Sequence, residues 1–180
     1  MLTLEKIENS INFMDDTYDA NFGEWIRNED NCRIVAYNMK KYVNKYSTSN
    51  MIVAIKWIVK DWTLKSIIIF TKKMIIEDIK GDIDNQLEKI KIISGLIYTW
   101  NPLFISEFIL ATTKNFMVDE KIKFLNYMLE SFEYKKINEI FKQLDNKLEL
   151  KVKNEIMVEC RLKRRRLKRS KSIIEAYNVS

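Results

Sequence analysis

Residues 83–100 read Ile-Asp-Asn-Gln-Leu-Glu-Lys-Ile-Lys-Ile-Ile-Ser-Gly-Leu-Ile-Tyr-Thr-Trp. Leu87, Ile90, Ile93, Ile97 and Trp100 fall at helical spacing, while Ile92 and Leu96 add apolar groups on the opposite side. A helix with apolar residues on both sides has to be covered on both sides. The stretch therefore predicts a buried central helix, and its neighbours in the sequence must supply the cover.

The segments before it have the required periodicity. Leu4, Ile7, Ile11 and Met14 predict a helix over about 3–19, with Thr3 as N-cap. Phe22, Trp25, Ile26, Ile34, Val35, Met39, Tyr42 and Val43 predict a second over about 22–46, with the polar run Arg27–Asn31 as the place where it splits. Ser47-Thr48-Ser49-Asn50 reads as a loop and cap. Helices follow over about 51–61 (Ile52, Ile55, Ile58, Val59) and 64–79 (Leu64, Ile67, Ile68, Ile75, Ile79), although Ile67–Phe70 has the composition of a strand. Lys80-Gly81-Asp82 closes this part.

Beyond the central stretch, Asn101 as N-cap and Pro102 at the first helical position open a helix over about 102–115. Asp119 reads as the cap of the next, which carries Ile122, Leu125, Leu129 and Phe132. The last helix begins near Lys136. Its stripe of Ile137, Ile140, Phe141, Leu144, Leu148, Val152, Ile156 and Cys160 runs on into a basic segment with no breaker in sight. The expected fold is all-α: a single bundle of seven to nine helices around residues 83–100, with a helical solenoid fragment as the competing architecture. No fixed repeat of 34, 40 or 45 residues is visible. Residues 1–158 are expected to form the helical domain and 159–180 a basic C-terminal helix or tail.

Composition narrows the chemistry. A chain of 180 residues with 47% apolar side chains suits one domain with a real core. One proline and three glycines argue against collagen, propellers and turn-rich sandwiches. There is no histidine, which removes imidazole catalysis and the usual zinc sites. Cys32 and Cys160, far apart and outside any C-x-x-C motif, read as reduced, small apolar residues. No catalytic residue, metal site or cofactor is expected. The carboxylate neighbours Asp15/Asp16, Glu29/Asp30 and Asp82/Asp84 read as loop and cap acids. Asp82-x-Asp84-Asn85 lacks the glycine and glutamate of a calcium loop. The acid-x-lysine triplets at Asp119, Glu133 and Glu149 are what a chain with 31% charged residues produces by chance. Trp57 and Trp62, among Lys56, Lys60 and Lys65, read as amphipathic tryptophans at a bundle edge rather than as a base-stacking surface.

Charge is the feature that stands out. Residues 151–180 hold ten Lys or Arg against three Glu, +7 in all, while residues 1–150 hold twenty-one basic against twenty-two acidic groups, −1. Within Arg161–Lys171 eight of eleven residues are basic: Arg161, Lys163, Arg164, Arg165, Arg166, Lys168, Arg169 and Lys171. Five of the seven arginines in the chain lie in this cluster. Arginine offers phosphate a planar fork that lysine lacks. The cluster is expected to bind RNA or DNA, to serve as a nuclear import signal read by an import receptor, or both. Ser170 and Ser172 lie inside it as candidate phosphorylation sites.

Elsewhere the lysine, isoleucine and asparagine bias has the look of an AT-rich genome, and a virus is the expected source. From Ile92 to Thr113 the one charge is Glu107, but Asn101-Pro102 breaks the stretch, so a buried hairpin is expected rather than a membrane span. The N-terminus has neither a secretion nor a myristoylation pattern and the C-terminus no prenylation box. The expected location is intracellular, in the nucleus or cytoplasm of a host cell. The expected function is that of a non-enzymatic interaction protein with a protein partner for the body and an anionic one for the tail.

Asn31-Cys32-Arg33-Ile34-Val35-Ala36 resembles part of the Bcl-2 homology-1 motif, without its glycine before the arginine and nearer the N-terminus than in that family. A short all-α body around one apolar helix is likewise similar to the Bcl-2-type bundles that AT-rich poxviruses direct against host defence. What this resemblance implies is an alternative function, the capture of a partner helix in an apolar groove. It transfers no site residues.

Overall fold

The computed structural model describes residues 20–79, 81–144 and 146–177, and side chains over 24–79, 81–144, 146–163 and at Arg165. The expected helix over 3–19 and the Asp15/Asp16 pair lie outside the described residues. The described chain is helical and contains no strand. Its helices are α1 (Ala20–Arg27), α2 (Cys32–Met39), α3 (Thr48–Ile58), α4 (Leu64–Thr71), α5 (Leu87–Ile97), α6 (Pro102–Thr113), α7 (Val118–Met128), α8 (Tyr134–Gln143) and α9 (Leu150–Tyr177).

The bundle has a regular plan. Each helix from α2 on packs mainly against the helix two places along: α2, α4, α6 and α8 form one row, and α3, α5, α7 and α9 the other. The side chains between the rows form one continuous core. In the first row the chain enters α4, α6 and α8 through the extended residues Thr63, Asn101 and Glu133. An aromatic residue precedes each: Trp62, Trp100 and Phe132. Four, seven and eight residues after each cap come the buried groups Ile67, Phe70 and Thr71, then Ile105, Phe108 and Ile109, then Ile137, Ile140 and Phe141. The second row matches it with Ala54 and Ile58, Ile93 and Ile97, Phe124 and Met128, and Ile156 with Cys160. The cap positions 63, 101 and 133 are unequally spaced. A structural repeat is therefore present without the fixed sequence period that a scan detects.

Local signals explain the helix ends. The Ser47, Thr63 and Asn101 side chains accept the N–H groups of Asn50, Ser66 and Phe104 at 3.2, 3.4 and 2.9 Å. Glu29 clamps the second of these caps, accepting both the N–H and the hydroxyl of Thr63 at 2.8 Å. Those bonds hold the Glu29 carboxyl below its ordinary value. The anticipated split near Arg27–Asn31 occurs, with a 3-10 turn over Glu29–Asn31. The strand-like run Ile67–Phe70 is helical, since its apolar groups meet both α2 and α6. It continues through a π turn at Lys72–Ile76 into Glu77–Ile79. Buried hydroxyls turn back on their own helices: Thr71 donates to the Ile67 carbonyl at 2.8 Å and Thr113 to that of Ile109 at 2.8 Å.

Three expectations need correction. The central segment is helical over Leu87–Ile97 rather than 83–100, and Ile83 is buried ahead of it. Asp119 is not the cap of α7: that position belongs to Met117, whose N–H donates to Glu120 at 2.7 Å. The stripe from Ile137 to Cys160 is not one helix. It breaks between α8 and α9, where Asn146 takes a left-handed φ of 64°. Asparagine is the commonest non-glycine residue in that conformation, so the signal was present in residue type but hidden by an unbroken apolar stripe.

α5 lies between α3 and α7. Ile90, Ile92, Ile93, Leu96 and Ile97 are buried, while Glu88 and Lys91 face out. Its crossing with α3 is tight. A Cβ at Gly95 would fall 2.3 Å from Ile52 Cδ1 and 2.9 Å from Cγ1. Glycine in mid-helix costs helix propensity, and the close approach of α3 is what requires it here.

Candidate functional site in the C-terminal helix

α9 spans 28 residues, about 42 Å at the α-helical rise. Its first third is bound into the stack. Val152 and Ile156 are fully buried against the body, with Met157 and Cys160 half-buried beside them. Ion pairs line the seam with α7. Lys121 bonds Glu149, Lys151 meets Asp119 at 3.1 Å, and Lys163 meets Glu130 at 3.4 Å. The bond from Lys121 holds the Glu149 carboxyl below its ordinary value. The acids of two acid-x-lysine triplets, Asp119 and Glu149, are thus partners of lysines on a facing helix.

From Arg161 the helix changes character. Arg161, Leu162 and Arg165 are exposed. The backbone stays helical through the segment that contains Arg164, Arg166, Lys168, Arg169, Ser170, Lys171 and Ser172, whose side chains lie outside the described residues. The helix crosses the expected boundary at residues 158–159 without interruption. Lys151 pairs with Asp119 of α7 and Lys163 with Glu130 just past the end of α7, which balances that part of the basic character. It is concentrated beyond Cys160.

A cleft of about 380 Å³ opens where α9 leaves the body. Leu125, Leu129, Phe132, Ile137, Ile156 and Cys160 line its apolar floor, and Glu130, Glu133, Glu159 and Lys163 stand at its edge. Sequence reading missed it because it depends on α9 running on as a helix where α7 turns. Burial pushes the Cys160 thiol above its ordinary value, against the opposing pull of Lys163. Cys32 is buried in α2 and its thiol is likewise raised by burial.

The other constellations resolve into structure. Trp62 is buried, donates its indole N–H to the Arg27 carbonyl and meets Phe70 edge-on at 5.5 Å. Trp57 is half-covered, with the Arg27 guanidinium 5.3 Å from its ring centre. Asp82 accepts from Asn85 at 2.9 Å, and Asp84 binds Lys123 at 2.5 Å and the Tyr127 hydroxyl at 3.2 Å. Among the described residues no group of three or more Cys, Asp or Glu is placed to hold a metal ion. No described helix is long and apolar enough to cross a membrane. The 92–113 stretch forms the end of α5 and all of α6, broken at Asn101-Pro102 as expected. Of the segment 31–36, Cys32, Val35 and Ala36 are core residues of α2, while Arg33 and Ile34 are exposed. Compared with known protein families, with curated proteins and with solved structures, the chain finds no match in any of the three.

Proposed function

We propose that the chain is a non-enzymatic binding protein whose helical stack carries a cationic arm for nucleic acid, formed by α9 beyond Cys160. The observation that carries this reading is the separation of charge along one unbroken helix. Before Cys160, Lys151 pairs with Asp119 and the helix also carries Glu155 and Glu159, whereas Arg161–Lys171 has eight basic residues in eleven with no acid among them, only Lys163 of these being seen to meet an acid of the body, Glu130. Like charges spaced three and four apart weaken a free helix. A polyanion removes that repulsion and releases its own counterions on binding. Phosphate contacts carry no base information, so the arm is expected to bind DNA and RNA alike.

The test is a salt titration of the full-length protein with a short labelled DNA duplex and with an RNA of similar length. Each phosphate contact contributes a salt slope of about 0.7–0.9. Charge reversal at Arg164, Arg165 and Arg166 should flatten the slope by several contacts and weaken both ligands alike. Phosphate on Ser170 or Ser172 adds about −1.5 to −2 charges per site and should act in the same direction. Unchanged binding and slope in the triple variant would sink the reading. Loss of nuclear accumulation of a fluorescent fusion, without loss of nucleic-acid binding, would instead make the segment an import signal.

A further inference from the structure

The cleft beside α9 is explained by the layer before it. Where α7 ends, the chain turns into α8, and three of its side chains fill the equivalent space on α5. Ser131 meets Ser94 at 3.0 Å, Phe132 packs edge-on against Tyr98 at 5.2 Å, and Lys136 donates to the Tyr98 carbonyl. The Lys136 ammonium also lies 5.5 and 5.3 Å from the ring centres of Tyr98 and Phe132. One layer on, Phe124 and Met128 of α7 correspond to Ile156 and Cys160 of α9. By the same offset, the places of Phe132 and Lys136 fall at residues 164 and 168. There α9 continues as a helix and does not turn. From Arg161 to Ala176 the sequence holds no aromatic residue, and among the described residues the space is the cleft floored by Leu125, Leu129, Phe132, Ile137 and Ile156.

We propose that this cleft docks a helical segment of a partner protein that carries an aromatic residue and, four residues on, a lysine or arginine. The aromatic ring takes the place that Phe132 takes on α5, against Leu129 and Ile156. The cation meets the edge, where Glu130, Glu133 and Glu159 outnumber Lys163. Spacing of four residues puts both groups on one helix face. This proposal does not depend on the nucleic-acid reading, since it uses none of the basic residues beyond Lys163.

The probe is a labelled synthetic peptide with the sequence of residues 130–143, the segment that fills the preceding layer, added to the full-length protein. Cys160 in the cleft wall is a built-in reporter, and buried Cys32 is its internal control. Saturating peptide should slow alkylation of Cys160 by iodoacetamide several-fold and leave Cys32 unchanged. Replacing Phe132 of the peptide by alanine should weaken binding about tenfold or more, the effect of losing one buried ring. Replacing Lys136 of the peptide by glutamate should do the same. On the protein, Glu133→Lys with Glu159→Lys at the cleft edge should weaken the peptide without shifting the melting temperature, and Cys160→Trp should block it by filling the space. Absence of binding at millimolar peptide overturns the proposal. So does binding that ignores these substitutions or leaves Cys160 reactive. Protection of Cys160 that rises with protein concentration alone would assign the cleft to a second copy and overturn the partner assignment.

Discussion

α5 and α9 occupy the same row and share a register, yet they answer different demands. Ile93 and Ile97 of α5 correspond to Ile156 and Cys160 of α9. α5 has α3 on one side and α7 on the other; α9 has α7 on one side and, among the described helices, no row neighbour on the other. The sequence follows the neighbours. α5 carries a second set of apolar groups, Ile92 and Leu96, both buried. At the register positions of α9 the apolar groups give way after Ile156 to a half-buried thiol and then to arginine. An apolar stripe thus records how many helices cover it, and a helix that loses its cover within its own length shows where a body ends and a surface element begins.

That contrast is sharpest at matched positions. Ile97→Ala removes a fully buried branched side chain and should cost about 2–5 kcal/mol. Cys160→Ala, at the matching place on α9, should cost about 1 kcal/mol or less, since one small half-buried group is lost. Equal costs in urea denaturation would mean that the two helices are equally enclosed. Next in size is Gly95→Ala. Helix propensity favours alanine by about 1 kcal/mol, but the new Cβ would overlap Ile52, and overpacking costs about 1–3 kcal/mol. A net loss is expected, with recovery when Ile52→Val is added. A net gain would show that the α3–α5 crossing is looser than it looks.

Truncation after Lys163 should be milder, with a fall in melting temperature of no more than a few degrees, because the buried positions described in α9, Val152 and Ile156, lie before the cut. A large fall would place the basic segment in the core structure. Smallest of all is Lys151→Ala, which breaks an exposed pair with Asp119 and should cost about 0.2–1 kcal/mol.

Acid separates the seam from the core in another way. Glu29, Asp84, Glu88 and Glu149 all have carboxyls held below their ordinary values, by hydrogen bonds from Thr63, Lys123, Lys91 and Lys121 respectively. A lowered folded value stabilises the native state above the unfolded carboxylate range near pH 4, and that contribution is lost as pH falls through the folded values. Melting temperature should therefore hold between about pH 7 and 5 and drop below about pH 4. Glu149→Gln should remove a part of the acid-induced drop. No change in the profile would show that the Lys121 bond contributes nothing to holding α9.

The helices were legible because their causes are local. Ser47, Asn101 and Pro102 mark helix starts wherever they occur in such contexts, and the periodicity of Ile52–Val59 or Ile137–Leu144 needs no knowledge of the rest of the chain. The break after α8 was illegible for the opposite reason. Leu144 and Leu148 continue the stripe as if the helix ran on, and one left-handed asparagine interrupts it. The two-row plan was hidden in unequal spacing, since Trp62, Trp100 and Phe132 play one part at intervals that differ. The basic segment was plain in composition. The cleft beside it was not, because it arises from a turn that the chain fails to make.

The alternate-helix packing has a kinetic consequence. Contacts between a helix and the one two places on, as between α3 and α5 or α7 and α9, join residues roughly 30–40 apart in the sequence, and such modest loops close at small entropic cost. A stack held by neighbour-to-neighbour interfaces can order from its middle and spread outward. Amide protons should then exchange most slowly in α5 and progressively faster along α7 to α9, so that the element with the most charge is also the first to open.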